Sequence, residues 1–321
     1  MREIGTLVCW ATLGAAGFIG TNLIMSLMHD VSYDILAVDE SKEYFSKCVR
    51  RPNVRLCECS FHAETDFKVL LAGQEMVYHL VSTNNPTCSN HNIGKDIADN
   101  LLISVNILEA CVTNHIKKVI FISSGGTVYG DRVMCPIKES AVTNPISTYG
   151  LQKLTIEKLF YLYHHMHGLD YSIVRLANPY GPYQRPNGRL GVVTTFAYKA
   201  LKNEVLTVYG DGNVVRDYIY IDDAIEGIRR IAENRSKEKV FNLGSGKGTC
   251  VNQVIKIIQQ KLGRDVTVEY IASRSVDVPV NVLDVTKYKT TFGVGDVTPL
   301  EKGIGLTLDY LKKDWIYSNG G

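Results

Sequence analysis

The chain has 321 residues, of which 45% are hydrophobic and 21% are charged. This length and balance predict a packed globular protein with one large domain, or two domains that share a cleft. The formal net charge of +2 gives no electrostatic reason to expect nucleic acid or an acidic membrane as a partner.

Short apolar runs alternate with amphipathic stretches in the first half of the chain. Strands are predicted at Thr6–Leu13, Asp34–Val38, Val54–Cys57, Met76–Leu80, Lys118–Ser123 and Ser172–Leu176. Helices are predicted at Ile19–Met28 and Asp99–Asn114. This rhythm of strand and helix is typical of a parallel sheet covered on both faces. The predicted fold class is therefore α/β, with a Rossmann-type doubly wound parallel sheet.

The second half is less regular and predicts a smaller α/β domain. Residues 178–191 are rich in Pro, Gly, Tyr and Asn, which predicts a long functional loop. Helices are predicted at Val193–Lys202, Asp222–Glu233 and Asn252–Lys261. We expect a first domain of residues 1–177 and a second of residues 178–321, from which the chain can cross back.

Eight cysteines are present, but none forms a CxxC pair and no His/Cys cluster lies nearby. We therefore expect no metal site, and reduced thiols in the cytoplasm fit this pattern best. Residues 1–10 lack the long apolar segment of a secretory signal, and no run of eighteen apolar residues predicts a membrane span.

The segment Gly14-Ala-Ala-Gly17-Phe-Ile-Gly20 follows the first predicted strand and opens the first helix. In such a loop the glycines permit a tight turn, close approach to a pyrophosphate, and close packing of helix on strand. The phosphates then lie on the positive helix N-terminus.

Asp39 directly follows the next predicted strand, nineteen residues after Gly20, where an acid hydrogen-bonds the adenine ribose. An ordinary glycine turn with a surface acid is the alternative, but the order of strand, motif, helix and strand favours a dinucleotide site. Because a carboxylate repels a 2′-phosphate, NAD is expected rather than NADP.

Tyr149-Gly-Leu-Gln-Lys153 follows a Pro-containing loop and opens a predicted helix. Residues i and i+4 share one helix face, so the phenol and the ammonium can face one pocket. A nearby ammonium lowers the pKa of a tyrosine from about 10 towards neutrality, which makes Tyr149 a candidate general acid/base. A surface Tyr/Lys pair is the alternative, and the preceding apolar strand with Ser123-Ser124 disfavours it.

The motifs GAAGFIG, SSGGTVYG, YGLQK, RLANPYGP and RDYIYIDD together resemble the extended short-chain dehydrogenases/reductases that act on nucleotide sugars. The chain is most similar to the UDP-hexose (UDP-glucose or UDP-N-acetylglucosamine) 4-epimerases, nearly from end to end. The resemblance implies bound NAD, a UDP-sugar substrate, and a homodimer formed through helices near Asp99–Asn114 and Lys153–Met166.

The resemblance also implies roles for further residues. Cofactor contacts are expected from Phe18, Ile19, Ser60, Leu80 and Asn100, where Ser60 lies in the Cys-Ser-Phe that replaces the usual Gly-Asp-Ile. Contacts to the UDP-sugar are expected from Asn178, Arg216, Arg274, Asp277 and Asn281. Arginine suits diphosphate oxygens because it donates two parallel hydrogen bonds.

Asn281 follows the R-x-x-D aspartate by four residues, where a bulky Tyr goes with plain hexoses in the similar epimerases. The smaller Asn predicts that N-acetylated sugars are also accepted. Lys247, in Gly-Ser-Gly-Lys-Gly, is interpreted as part of a turn, because no GKS/T pattern follows.

One departure from the family concerns the catalytic hydroxyl, since Gly125 stands where the family has Ser or Thr. Side chains alternate along a strand, so Ser123 and Thr127 are predicted on the face of Gly125 and Ser124 on the opposite face. We expect Thr127 to replace the missing hydroxyl, with Ser123 deeper in the strand.

The similar dehydratases and decarboxylases carry acids before VYG, whereas this chain has Gly125-Gly-Thr127. A 4-epimerase needs one base for the O4 proton and a nicotinamide for the C4 hydride. The predicted function is therefore a nucleotide-sugar 4-epimerase that works through a 4-keto intermediate. The alternatives are a reductase or dehydratase of the same family, or a non-catalytic NAD-binding regulator.

Overall fold

A computed structural model describes residues 8–41, 51–82, 93–131, 133–186, 191–273 and 278–316. The strands of this part of the chain are β1 (Val8–Leu13), β2 (Tyr33–Asp39), β3 (Val54–Glu58), β4 (Met76–His79), β5 (Lys118–Ser124), β6 (Tyr171–Leu176), β7 (Asn178–Tyr180), β8 (Leu206–Tyr209), β9 (Val215–Tyr220), β10 (Val240–Leu243), β11 (Gly248–Cys250), β12 (Val268–Ile271) and β13 (Val280–Asn281). Its helices are α1 (Phe18–Leu27), α2 (Phe67–Leu70), α3 (Ile93–Thr113), α4 (Thr148–His167), α5 (Val192–Leu201), α6 (Ile221–Ala232), α7 (Val251–Leu262), α8 (Thr286–Phe292) and α9 (Leu300–Leu311), which a π-helical turn (Lys312–Ile316) follows.

The central sheet has seven parallel strands in the order β10-β6-β5-β4-β1-β2-β3. This order confirms the predicted Rossmann-type α/β fold. Strands β1 and β4 are neighbours although they are far apart in sequence, so the strand order reverses between them. In open α/β sheets, ligands bind at such a reversal, beyond the carboxyl ends of the strands.

Most predicted elements of the first half occur within a few residues of their predicted bounds. Helix α3 begins six residues before the predicted Asp99, and the short helix α2 was not predicted. Asp66 starts α2 by accepting hydrogen bonds from the backbone N–H groups of Lys68 and Val69, at 3.1 Å each. Side-chain capping of this kind stabilises a first turn that hydrophobic periodicity does not reveal.

The prediction of one loop over residues 178–191 is wrong at its start. Asn178–Tyr180 form strand β7, which pairs in parallel with β9, while residues 187–190 lie outside the described part. Pairing with a strand forty residues away overrides the Pro and Gly content of this segment.

The chain divides into two compact units that interleave in sequence. The first comprises Met1–Ser124, Ser147–Val174 and Ile228–Phe241, and the second comprises Gly125–Ile146, Arg175–Gly227 and Asn242–Gly321. The predicted boundary at residue 178 divides the chain by role, into a cofactor domain and a substrate domain. A division by compactness does not test those roles, so the boundary stays a prediction.

The first unit has an apolar core, in which Leu13, Val38 and Phe121 are fully buried and on which helices α3 and α4 pack. The second unit contains a small sheet in which β9 pairs with β7, β11 and β13, and a separate parallel pair, β8 and β12. Among the described helices, none combines the length and the apolar character needed to cross a bilayer.

Candidate active site

The glycine loop joins the end of β1 to helix α1. Gly14 has a φ of +84°, and a Cβ at this position would lie 3.1 Å from the backbone carbon of Leu80. At Gly20 a Cβ would lie 2.4 Å from the carbonyl oxygen of Gly14. Glycine is therefore required at both positions, one by the left-handed backbone and the other by close packing of helix on loop.

The start of α1 suits a diphosphate. Gly17 is the N-cap of this ten-residue helix, with no side-chain capping bond and no acidic residue in the first turn. The unpaired N–H groups of a helix N-terminus carry partial positive charge, which favours an anion. Phe18 and Ile19, two of the predicted cofactor residues, form this first turn.

Asp39 lies at the end of β2 and contacts the glycine loop directly. Its Oδ2 accepts a 2.8 Å hydrogen bond from the backbone N–H of Ala16, and its Oδ1 accepts one from Glu40. A carboxylate oxygen can accept further bonds, so the side chain retains acceptor sites for ribose hydroxyls. The backbone N–H of Cys59 bonds the Asp39 carbonyl, so the next residue, the exposed Ser60, follows the end of β3 beside it.

The remaining predicted cofactor residues lie on β4 and α3. Leu80 follows β4, and its N–H donates to Leu13 at 3.0 Å. Asn100 is buried in α3, where its Nδ2 donates to the carbonyl oxygen of Asp96 at 2.9 Å. The glycine loop, Asp39, Ser60 and Leu80 thus gather at the carboxyl ends of β1 to β4, and these residues fit a dinucleotide such as NAD.

Tyr149 and Lys153 lie in the first two turns of α4. Ser147 caps this helix by accepting a 3.1 Å hydrogen bond from the N–H of Gly150. Lys153 is 5% exposed, and its Nζ donates to the carbonyl oxygen of Ile122 at 3.1 Å. The same Nζ lies 5.6 Å from the centroid of the Tyr149 ring. The predicted i, i+4 arrangement therefore brings the phenol and the ammonium together on one helix face.

Burial shifts the pKa values of both members of this pair in the chain alone. Burial lowers the pKa of Lys153 to about 8, against the opposing effect of Glu157. Burial also raises the pKa of Tyr149 to about 12. The pKa of Tyr149 is thus raised in the chain alone, with burial as the cause, and its lowering by Lys153 towards neutrality stays a prediction for the enzyme with bound nucleotide.

A buried histidine beside Lys153 was not predicted. His79 ends β4, and its Nε2 lies 3.0 Å from Ser104 Oγ, which itself donates to the carbonyl oxygen of Asn100. Because the Ser104 hydroxyl donates its proton to the carbonyl oxygen of Asn100, it can only accept from the ring. We therefore assign Nε2 as the protonated, donating nitrogen of His79. Burial, together with the charge of Lys153, lowers the pKa of His79 to about 3, so this ring is neutral.

The hydroxyls at the end of β5 do not follow the predicted alternation. The strand ends at Ser124, and residues 125–127 form a turn, so strand geometry does not orient Thr127. Ser123 is buried and donates a 2.6 Å hydrogen bond to Glu157 Oε1. Glu157 was not predicted, although its spacing of four residues from Lys153 places it on the face of α4 that carries Tyr149 and Lys153.

In the second unit, Thr127 Oγ1 is buried and has no hydrogen-bond partner among the described residues. Asn281 is 1% exposed, and its Nδ2 donates to the carbonyl oxygen of Gly125 at 3.2 Å. Its Oδ1 has no partner within the same described ranges. A role for Thr127 as the replacement hydroxyl stays a prediction.

Three predicted substrate residues occur on adjacent strands of the small sheet. Asn178 lies on β7 and donates to the carbonyl oxygen of Asp217 at 2.9 Å. Arg216 lies on β9 in register with Asn281 on β13, and its Nη1 donates to the carbonyl oxygen of Val278. The other two predicted residues, Arg274 and Asp277, lie outside the described residues.

In the Gly-Ser-Gly-Lys segment, the backbone N–H groups of residues 245–247 already donate to acceptors within the protein. Ser245 and Gly246 donate to Asp217 at 2.8 Å and 3.1 Å, and the N–H of Lys247 donates to Ser245 Oγ. A phosphate loop needs these donors for its ligand. This supports the interpretation of Lys247 as part of a structural loop.

The sequence and the structure of this chain are both similar to those of known proteins. The pattern of the NAD dependent epimerase/dehydratase family matches residues 11–244. A putative UDP-glucose 4-epimerase of Methanocaldococcus jannaschii is 32% identical over 305 residues, covering 94% of this chain and 97% of that protein. The structure of a Thermotoga maritima UDP-glucose 4-epimerase with UDP-glucose has a TM-score of 0.89 at 33% identity, covering 95% and 99% of the two chains. A Bacillus cereus UDP-glucuronic acid 4-epimerase, in complex with UDP-glucuronic acid and NAD, has a TM-score of 0.88 at 25% identity, with 95% and 99% coverage.

Proposed function

Because the chain belongs to the NAD dependent epimerase/dehydratase family, we propose that it is a nucleotide-sugar 4-epimerase that interconverts UDP-hexoses. The observation that carries the proposal is the Tyr149 and Lys153 pair on one face of α4, with the Lys153 ammonium fixed on the carbonyl of Ile122. The substrates would be UDP-glucose with UDP-galactose, and also UDP-N-acetylglucosamine with its C4 epimer.

The chemistry divides between the cofactor and the protein. NAD, on which the family depends, supplies the acceptor and donor of the C4 hydride when it is bound. Tyr149 takes the O4 proton and returns it after the 4-keto sugar has turned over, and the ammonium of Lys153 stabilises the phenolate. Residues 125–127 carry no carboxylate, so the chain lacks at this point the acid group that a dehydratase uses to eliminate water.

The glycine loop, the N-terminus of α1 and Asp39 would hold NAD. Asp39 and the loop form one unit through the bond to Ala16, so a 2′-phosphate on the ribose would meet a fixed carboxylate. This supports NAD over NADP.

Asn178, Arg216 and Asn281 would bind the UDP-sugar, together with Arg274 and Asp277. Arg216 and Asn281 support this role because they are neighbours in the small sheet. Asn281 Oδ1, which has no partner among the described residues, offers an acceptor, and Asn leaves more room than Tyr at this position. We therefore propose that the pocket also accepts a C2 N-acetyl group.

A substrate panel tests the proposal. The purified protein is incubated without added cofactor with UDP-glucose, UDP-N-acetylglucosamine and UDP-glucuronic acid, and the products are identified by NMR. An epimerase forms the C4 epimer of at least one sugar. A reductase requires added NADH or NADPH and consumes it in proportion to product, and a regulator converts no sugar under either condition.

A homodimer through α3 and α4 is part of the proposal. Leu151, Leu162 and Met166 are exposed apolar residues at helical spacing on α4, and Leu102 is exposed on α3. Exposed apolar residues on neighbouring helices favour burial against a second copy. Light scattering would give twice the mass of the chain, and Leu162→Glu with Met166→Glu would give a monomer.

The six described cysteines are all free, which supports a reducing, cytoplasmic compartment.

A further inference from the structure

A buried acid lies one helical turn beyond the catalytic lysine. Glu157 is 4% exposed and Lys153 is 5% exposed, and both are on α4. Residues four apart on a helix have Cβ atoms roughly 5–6 Å apart on the same face. Ser123, which is also buried, donates its 2.6 Å hydrogen bond to Glu157 Oε1 from the neighbouring strand β5.

A buried carboxylate is costly unless another group compensates its charge. Glu157 accepts the short hydroxyl bond, and its charge acts on Lys153 in the direction that favours the ammonium. The Lys153 ammonium in turn faces the Phe121 ring at 4.8 Å and the carbonyl of Ile122. These neighbours carry no formal charge, so they do not replace an anion.

We propose that Glu157 is the buried counter-charge of Lys153, that Ser123 holds it in place, and that Glu157 thereby acts on the reaction as a positioning residue. The proposal rests on the function proposed for Lys153. It assigns Ser123 to the support of Glu157 rather than to contact with the sugar.

The other titratable groups around this cluster do not supply the same charge. His79 on β4 is neutral, because burial and Lys153 lower its pKa to about 3. Tyr149 on α4 is a neutral phenol, because burial raises its pKa to about 12. Burial raises the pKa of Tyr171 on β6 as well, with smaller contributions from Tyr161, Asp170 and Glu157. Within the described ranges, Glu157 is the charged group that acts on the pKa of Lys153, so its removal should change the protonation of Lys153.

The test is a direct titration of Lys153. Protein carrying lysine labelled with ¹³C at Cε is titrated by NMR, and a Lys153→Met variant identifies the resonance. In the unmodified protein the midpoint should lie near the pKa of about 8. In Glu157→Gln it should fall by at least about one unit, since an opposite charge within a few ångströms shifts a pKa by roughly 1–3 units.

Three comparisons make the result decisive. Glu157→Gln keeps an oxygen that can accept the Ser123 hydroxyl, so charge alone changes. Ser123→Ala keeps the charge and removes the hydrogen bond, and should shift the midpoint less. Glu204→Gln removes an exposed acid and should leave the midpoint unchanged. An unaltered Lys153 midpoint in Glu157→Gln overturns the proposal.

The same variants separate this inference from the proposed function. If the protein is an epimerase, the alkaline limb of the kcat profile of Glu157→Gln should move down with the Lys153 midpoint. A shifted midpoint in a protein that converts no UDP-sugar would support the role of Glu157 and contradict the function. Turnover with an unshifted midpoint would support the function and contradict the role of Glu157.

Discussion

Leu283 occupies the space that a side chain at Gly125 would need. A Cβ at this position would lie 2.5 Å from Leu283 Cδ1 and 3.1 Å from the carbonyl oxygen of Arg175. Leu283 is fully buried, so it has little room to move. The packing around residue 125 therefore leaves no space for a side chain, and a serine at this position should destabilise the fold.

We expect Gly125→Ser to lower the free energy of unfolding by about 1–3 kcal/mol, as overpacking in a core does. In a Leu283→Ala background the same change should cost less, with a coupling energy of at least about 0.5 kcal/mol. Urea midpoints of the two single variants and the double variant measure this. Gly295→Ser is the control, because no atom of the described residues, its chain neighbours apart, would lie within 4 Å of a Cβ there. Additive effects would show that Leu283 does not limit residue 125.

Thr127→Val should lower kcat by on the order of 10²-fold, if the buried hydroxyl donates to the reacting oxygen. Val has nearly the shape of Thr, so folding should be retained. Ser124→Ala is the matched comparison and should be milder. The strand ends at Ser124, so the alternation no longer supports Thr127. The prediction now depends on the buried Oγ1, for which the described part of the chain provides no hydrogen-bond partner. If Ser124→Ala is the more damaged variant, Ser124 is the functional hydroxyl.

Tyr149→Phe should lower kcat by on the order of 10²–10⁴-fold while NAD remains bound, because it removes the proton carrier and little volume. Rapid-quench assays and the absorbance of bound nucleotide measure the two properties. Tyr161→Phe removes a hydroxyl from an exposed side chain on the same helix and should have no effect. Activity of Tyr149→Phe within a few-fold of the unmodified protein would remove Tyr149 from the mechanism.

Asp39→Ala should weaken NAD binding roughly 10–100-fold, the usual effect of losing hydrogen bonds to a charged group. It should also narrow the preference over NADP, because the repulsive carboxylate is gone. Calorimetric titration with both nucleotides tests this. Asp34→Ala, on the same strand, removes the surface pair with Arg55 and a weak contact with Cys9 Sγ, and it serves as the control. Equal affinity of the unmodified protein for NAD and NADP would contradict the role of Asp39.

Much of the fold and several site positions could be predicted because their signals are local. The glycines of residues 14–20 are required by a left-handed or closely packed backbone within that short loop. The placement of Tyr149 and Lys153 on one face requires only the helical repeat. The parallel order of strands follows from the alternation of strand and helix. These features depend on short stretches of sequence, and the structure has them close to where they were predicted.

Other features depend on contacts that sequence spacing does not contain. His79 is neutral because burial and the charge of Lys153 lower its pKa, and Asp217 holds the Ser245 loop from a distant strand. The raised pKa of Tyr149 in the chain alone depends on its burial, which the spacing of the motif does not contain. The predicted orientation of the Thr127 side chain relied on strand alternation, which stops where β5 ends. Glu157 is the exception, since its spacing from Lys153 was visible in the sequence.

The fate of the hydrogen at C4 tests the central claim most directly. UDP-glucose and UDP-N-acetylglucosamine carrying deuterium at C4 are incubated with the purified protein in ordinary water, with no added nucleotide. An epimerase that passes a hydride to its bound cofactor and back should yield the C4 epimer with deuterium retained at C4. Absence of a C4 epimer from both sugars, or a product that forms only as added NADH or NADPH is consumed, would contradict the account.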